Sequence, residues 1–148
     1  MSSGDEHTRL AIASIGSIVA GAVAALFVPL RLVLVGAVAC MVGELLLSPD
    51  LDHPAGCRAF RWWWILRAIW IPYQAMVRHR SPWSHWPIIG TAGRLAYLGV
   101  PLYGAACLVG GPEAVPELHR WATTHWREIV AVVAGVELSA VLHLVGDL

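Results

Sequence analysis

The residues of this chain best equipped for chemistry are histidines and aspartates set at ligand-like spacings. His143 and Asp147 are four positions apart, so on a helix they lie about 40° from one another, one turn apart on the same face. Such a pair can chelate one ion. Asp50 and Asp52 follow Pro49 in Pro-Asp-Leu-Asp-His; in extended backbone, residues two apart point the same way, so both carboxylates can face one centre while Leu51 points elsewhere. His79 and His85 bracket Arg-Ser-Pro-Trp-Ser, and His7 stands near the N-terminus. This mixed nitrogen and oxygen donor set suits zinc first, then manganese or iron, and suits calcium or copper less. One or two divalent ions could be held, and two could clamp a displacement at phosphorus. Plainer roles exist for each residue: Pro-Asp is common turn chemistry, and histidines near termini or in aromatic loops are often only solvated.

Donors scattered over most of the chain can meet only if the fold gathers them. The 148 residues are 57% hydrophobic and 14% charged, with a mean hydropathy of +0.64, which makes a bilayer the natural solvent. The expected fold is all-α, one membrane-embedded domain over residues 1–148. Four segments, about 10–28, 30–48, 87–109 and 129–145, are apolar over the roughly 20 residues that a spanning helix needs. No small-residue cleavage site follows the first, so it is expected to be a retained helix. Pro29 separates the first two spans into a hairpin, and Gly110-Gly111-Pro112 breaks the chain after the third. Between spans two and three, residues 58–77 interleave Trp62, Trp63, Trp64 and Trp70 with Arg61 and Arg67. Tryptophan and arginine favour the headgroup level, so this segment is expected to lie in the interface as a helix. Cys40, Cys57 and Cys107 form no CxxC pair and read as packing residues. Acidic and basic residues balance at zero net charge, which leaves no basic footprint for nucleic acid.

That topology puts His7, Asp50, Asp52, His79, His85, His143 and Asp147 on one membrane face. His119 and His125 fall opposite, among Trp121 and Trp126, as interfacial anchors. Glu44, Arg94 and Glu137 lie within spans, roughly 9 to 15 Å below the site face. An intramembrane charge is costly unless paired or hydrated, so these should face the bundle interior. Arg94 could pair with Glu137 or Glu44; alternatively Glu137 is a metal ligand or general base and Arg94 its positioning partner. Arg9, Arg58, Arg61, Arg67, Arg78 and Arg80 on the site face outnumber Arg31, Arg120 and Arg127 opposite, which makes the site face cytoplasmic by the positive-inside rule.

Residues 4–9, Ser48-Pro-Asp-Leu-Asp-His53, His79-Arg-Ser-Pro-Trp-Ser-His85 with Gly90-Thr91, Arg94 and Tyr97-Leu98, and Gly135-Val-Glu137 through His143 to Asp147 carry a resemblance. In order and over the whole chain, these blocks resemble the YdjM-like membrane-bound metal-dependent hydrolases, in particular the branch of uncharacterised metal-binding proteins. That family is similar in turn to zinc-dependent phospholipase C and the single-strand nuclease P1, which implies a phosphoesterase-like site. On this resemblance His7, Asp50, Asp52, His79, His85, Glu137, His143 and Asp147 are the metal-ligand candidates. Arg80 is the natural phosphate clamp, with Arg78, Ser81 and Ser84 beside it for substrate. The expected function is a metal-dependent hydrolase of a phosphoester, lipid or lipid-linked, in an inner or plasma membrane of bacterial or archaeal type. The alternative is a non-enzymatic metal-binding membrane protein: a sensor, carrier or structural subunit. Membrane lipid is the expected partner, and the oligomeric state is left open.

Overall fold

The computed structural model describes residues 19, 21, 23, 26–53 and 58–147. Most of the expected first span, with His7, lies outside them; residues 19, 21, 23, 26 and 27 are helical. Every described element is a helix or a turn of one. Three stretches among the described residues are long and apolar enough to cross a bilayer: Leu30–Asp52, Ile89–Thr124 and Trp126–Gly146.

Pro29 caps the first of these. Its fixed φ and extended ψ start α1 (Leu30–Leu46), and its carbonyl accepts from Leu32 N at 2.8 Å. At the other end Ser48 and Pro49 begin a 3-10 turn, Pro49–Asp52, with Asp50 N donating to Ser48 Oγ at 3.5 Å. Ser-Pro-Asp is a helix-start signal, and it sets these residues in a helical turn rather than the extended backbone expected for Asp50 and Asp52. Leu51 is fully buried, in the cluster with Ala59, Trp70 and Tyr73.

The tryptophan-rich segment is not one helix but three pieces: α2 (Arg58–Trp62), a 3-10 stretch over Trp64–Ile69, and α3 (Trp70–Met76). Trp64, at φ 38°, marks the break. Its tryptophans divide as well. Trp62 and Trp64 are exposed, but Trp70 is 0% exposed. It is packed with Leu51, Ala59 and Tyr73 directly beneath the 3-10 turn, and its ring meets Trp63 and Tyr73 edge-on at 5.4 Å. Edge-to-face pairs add about 0.5–1.5 kcal/mol each beyond the burial of area. Trp63 Nε1 donates to Leu46 O at 2.7 Å, Gln74 Nε2 to Leu51 O at 2.9 Å, and Tyr97 OH to Ile69 O. Both α2 and α3 pack against Pro49–Asp52, so the segment returns to the end of α1 from which it leaves.

A one-turn helix, α4 (Pro82–His85), follows, then α5 (Ile89–Gly110). A 3-10 turn over Gly111–Glu113, α6 (Ala114–Thr124) and α7 (Trp126–Asp147) complete the chain. The dominant contact in the molecule is α1 against α7. It is made by small residues: a methyl group added at Gly135 would collide with the Gly36 carbonyl oxygen and lie 2.9 Å from Ala39 Cβ, and one at Gly43 would strike Ser139 Oγ. In lipid such close backbone approach is what holds helices together, because apolar side chains gain nothing by leaving the tails. Gly135→Leu should therefore separate α1 from α7 and cost about 1–3 kcal/mol or more, read as a lower midpoint of thermal unfolding in detergent. Gly104→Ala, whose added methyl meets nothing, should leave the midpoint unchanged or raise it.

Candidate metal centre

The centre forms where the C-terminal ends of α1 and α7 meet α4. Pro49–Asp52 supplies two carboxylates, the turn between α3 and α4 supplies His79, α4 ends on His85, and the last turns of α7 carry His143. Among the described residues, one ligand atom each from Asp50, His79 and His85 lie within 4.8 Å of one another. This cluster can chelate one divalent ion.

His79 and His85 are each oriented from behind by a hydrogen bond. His79 Nδ1 is 2.8 Å from Asp52 Oδ1; its N–H donates to the carboxylate, which leaves the Nε2 lone pair to ligate a metal. Asp52 is 1% exposed, and its second oxygen accepts the Arg80 backbone N–H at 3.2 Å. Arg80 stands in the left-handed region at φ 58°. His85 Nδ1 is 2.9 Å from Ser84 Oγ, and His85 Nε2 faces Asp50 Oδ1 at 3.5 Å. His143 Nδ1 is 3.9 Å from Glu44 Oε1, with its Nε2 3.2 Å from Asp50 Oδ2. Burial holds the His85 imidazole below the usual histidine range, while Asp52 and Asp50 pull it back up. A neutral imidazole is the form that ligates. His85 Nε2 is also buried without a hydrogen-bond partner among the described residues, a costly arrangement that a cation would relieve. The residues present therefore fit a divalent metal ion.

Several expected site residues stand elsewhere. Asp52 is set behind His79 rather than in the group of three. Glu137 Oε1 accepts Ile88 N at 2.8 Å, tying α7 to the start of α5 at a residue with φ 67°. Arg94, expected to act with Glu137, is 1% exposed and donates instead to Ser84 O at 2.7 Å and Thr91 Oγ1 at 3.2 Å. It is a positioning group for α4, because the Ser84 carbonyl belongs to the peptide leading into His85. Ser84 is fully buried, and its hydroxyl is spent on His85 and on the Ser81 carbonyl rather than on a substrate. Ser81 Oγ is buried without a partner among the described residues. Arg78 and Arg80 are exposed at the rim. His7 lies outside the described residues, and Asp147 is placed only as the end of α7. His119 and His125 are on α6 and just after it, at the far end of α5 and α7, where Trp121 stacks on His125 at 4.9 Å.

Two neighbours carried no expected role at this centre. The His53 ring meets that of His79 edge-on at 4.6 Å, and Glu44 stands beside His143. His53 follows Asp52 directly, which was its one available signal.

Comparison with known proteins comes down to one result. The family model described as uncharacterized metal-binding protein, DUF2227, matches residues 2–148. The chain belongs to that family. No curated protein and no solved structure matches it. For this DUF2227 member, Asp52→Asn should weaken zinc binding about 10–100-fold with the fold intact, since it removes the acceptor that orients His79. Competition against a chromophoric chelator would measure this. His119→Ala and His125→Ala should bind zinc as the parent does; equal loss in all three variants would defeat the assignment.

Proposed function

We propose that this protein is a membrane-embedded, metal-dependent hydrolase acting on a phosphoester, with a lipid or lipid-linked substrate reaching the centre from the bilayer. The observation that carries this reading is the three-donor set: among the described residues Asp50, His79 and His85 each bring one ligand atom within 4.8 Å of the others, and three protein ligands are what a catalytic zinc site uses. A divalent ion bound there, zinc before manganese or iron, supplies Lewis-acid activation of a phosphoryl group and of water. The protein's own residues do the rest. Asp52 fixes the tautomer of His79, and Ser84 and Arg94 set the position of His85. Exposed Arg80 and Arg78 neutralise phosphoryl charge at the rim. The resemblance of the motif blocks to metal-dependent hydrolases supports the reaction class.

The same reading gives four spans, with the tryptophan-rich segment in the interface. Its support is that α2 and α3 both rest on Pro49–Asp52, a geometry a crossing segment could not adopt. The site face is cytoplasmic, with Arg61, Arg67, Arg78 and Arg80 on it. A second reading, a non-catalytic metal-binding membrane protein, draws on Glu137 and Ser84 being engaged by Ile88 N and His85 instead of by the centre.

Zinc-loaded protein in detergent should hydrolyse phosphodiester or phosphomonoester substrates, and His85→Ala should abolish turnover. Arg80→Ala should lower kcat/KM at least about tenfold with zinc content unchanged. A fully loaded protein that cleaves none of a broad phosphoester panel would leave the non-catalytic reading in its place. For orientation, a single cysteine at Arg78 should react with a membrane-impermeant maleimide in inside-out vesicles and stay protected in intact cells; the reverse pattern puts the centre outside.

A further inference from the structure

α1 and α7 run in the same direction, since Gly36 opposes Ala131 and Gly135 while Gly43 opposes Ser139. Both helices therefore begin at the membrane face away from the metal centre. Beside their contact lies a cavity of about 890 Å³. It runs from Phe27, Trp126 and Arg127 at that face to Met41 and Leu138, with Gly21 on its third side. Midway its lining is Gly36, Ala37, Ala131, Ala134 and Gly135, side chains too short to fill the space between the helices. Pro29 to Met41 and Trp126 to Leu138 each rise about 18 Å along the helix axis, and half of a hydrocarbon core is about 15 Å. The groove is thus as deep as one leaflet.

Among the described residues that line it, only Arg127 is charged, and it stands at the headgroup end. Its guanidinium lies 5.4 Å from the centre of the Trp126 ring, and no carboxylate among the described residues pairs with it. The neighbouring Glu128 is taken by Arg31 at 3.3 Å. An apolar trench accepts hydrocarbon and penalises anything polar, while a guanidinium at its mouth matches the paired oxygens of a phosphate. We propose that this groove binds a phospholipid of the leaflet opposite the metal centre, one acyl chain lying between α1 and α7 and the phosphate on Arg127. This lipid is a ligand and not the substrate, because Arg127 and His143 are about 24 Å apart along α7. Its binding braces the α1–α7 pair from the far side. The inference is independent of the reaction proposed above.

The test is native mass spectrometry of the intact chain, delipidated in detergent and titrated with dioleoylphosphatidylglycerol. Dioleoylglycerol, with the same chains and no phosphate, is the comparison. The parent should take up one phosphatidylglycerol per chain in preference to dioleoylglycerol, and its thermal midpoint should rise with the first and not the second. Affinity for phosphatidylglycerol should fall about fivefold in Arg127→Gln and be kept in Arg127→Lys. It should be lost in Ala134→Phe, whose ring fills the trench. Arg120→Gln, on α6 and outside the groove, should bind as the parent does. Ala134 and Arg127 are both exposed, and an unchanged midpoint in lipid-free detergent confirms that their variants fold. Equal binding of the two lipids, or binding that survives Ala134→Phe, overturns the proposal. So does a parent that takes up no phospholipid, and so does a dimer that excludes it, which would make a second copy of the chain the occupant.

Discussion

The close approach of α1 and α7 is the constraint on which the rest depends. In a lipid phase two helices gain little by covering each other's leucines, so their association relies on contact density, which is highest where backbones touch. Gly36, Ala39 and Gly43 on one helix and Gly135 and Ser139 on the other permit that contact, and no side chain could be interposed at Gly135 without moving α1. The two helices end together, one running into Pro49–Asp52 and the other carrying His143. A carboxylate and an imidazole separated by most of the sequence thus meet at 3.2 Å.

Around that meeting point the polar groups are arranged in layers. The atoms that face the centre belong to Asp50 and the histidines, while a second set of oxygens on Asp52, Ser84 and Glu44 stands behind the rings. Behind these again, Arg94 holds the Ser84 carbonyl and Thr91, and Trp70 and Tyr73 close the floor below Leu51. Burial of this many polar atoms is tolerable because most have a partner. Of the several exceptions among the described residues, which include Trp70 Nε1, Tyr73 OH and Arg94 Nε, His85 Nε2 is one that faces the centre itself.

Much of this was legible in the sequence. Hydropathy located α1, α5 and α7, and the order of spans inferred from it brought Asp50, His79, His85 and His143 towards one another, as they are found. What could not be read was which of two neighbouring acids would face the centre. Extended backbone would have aimed Asp50 and Asp52 alike, but Ser-Pro-Asp starts a helical turn, and in a turn residues two apart diverge. The burial of Trp70 could not be read for a related reason: in a run of tryptophans, composition does not say which ring turns inward. Glu137 and Arg94 both looked available for chemistry by depth alone. Their partners, a backbone amide and a backbone carbonyl, leave no trace in residue identity.

Arg80 and Ile88 bracket the corner that carries His85, and both have positive φ. A residue with a Cβ at positive φ is strained by about 1–3 kcal/mol, and glycine adopts positive φ more readily. Each of these strained amides is claimed by a buried or half-buried carboxylate from a distant element, Asp52 for Arg80 and Glu137 for Ile88. The corner is thus a sprung bracket, bolted at both ends by acids. At its first bolt the chain carries an arginine where a glycine would sit more easily, so the Asp52 carboxylate that orients His79 also holds strained backbone in place.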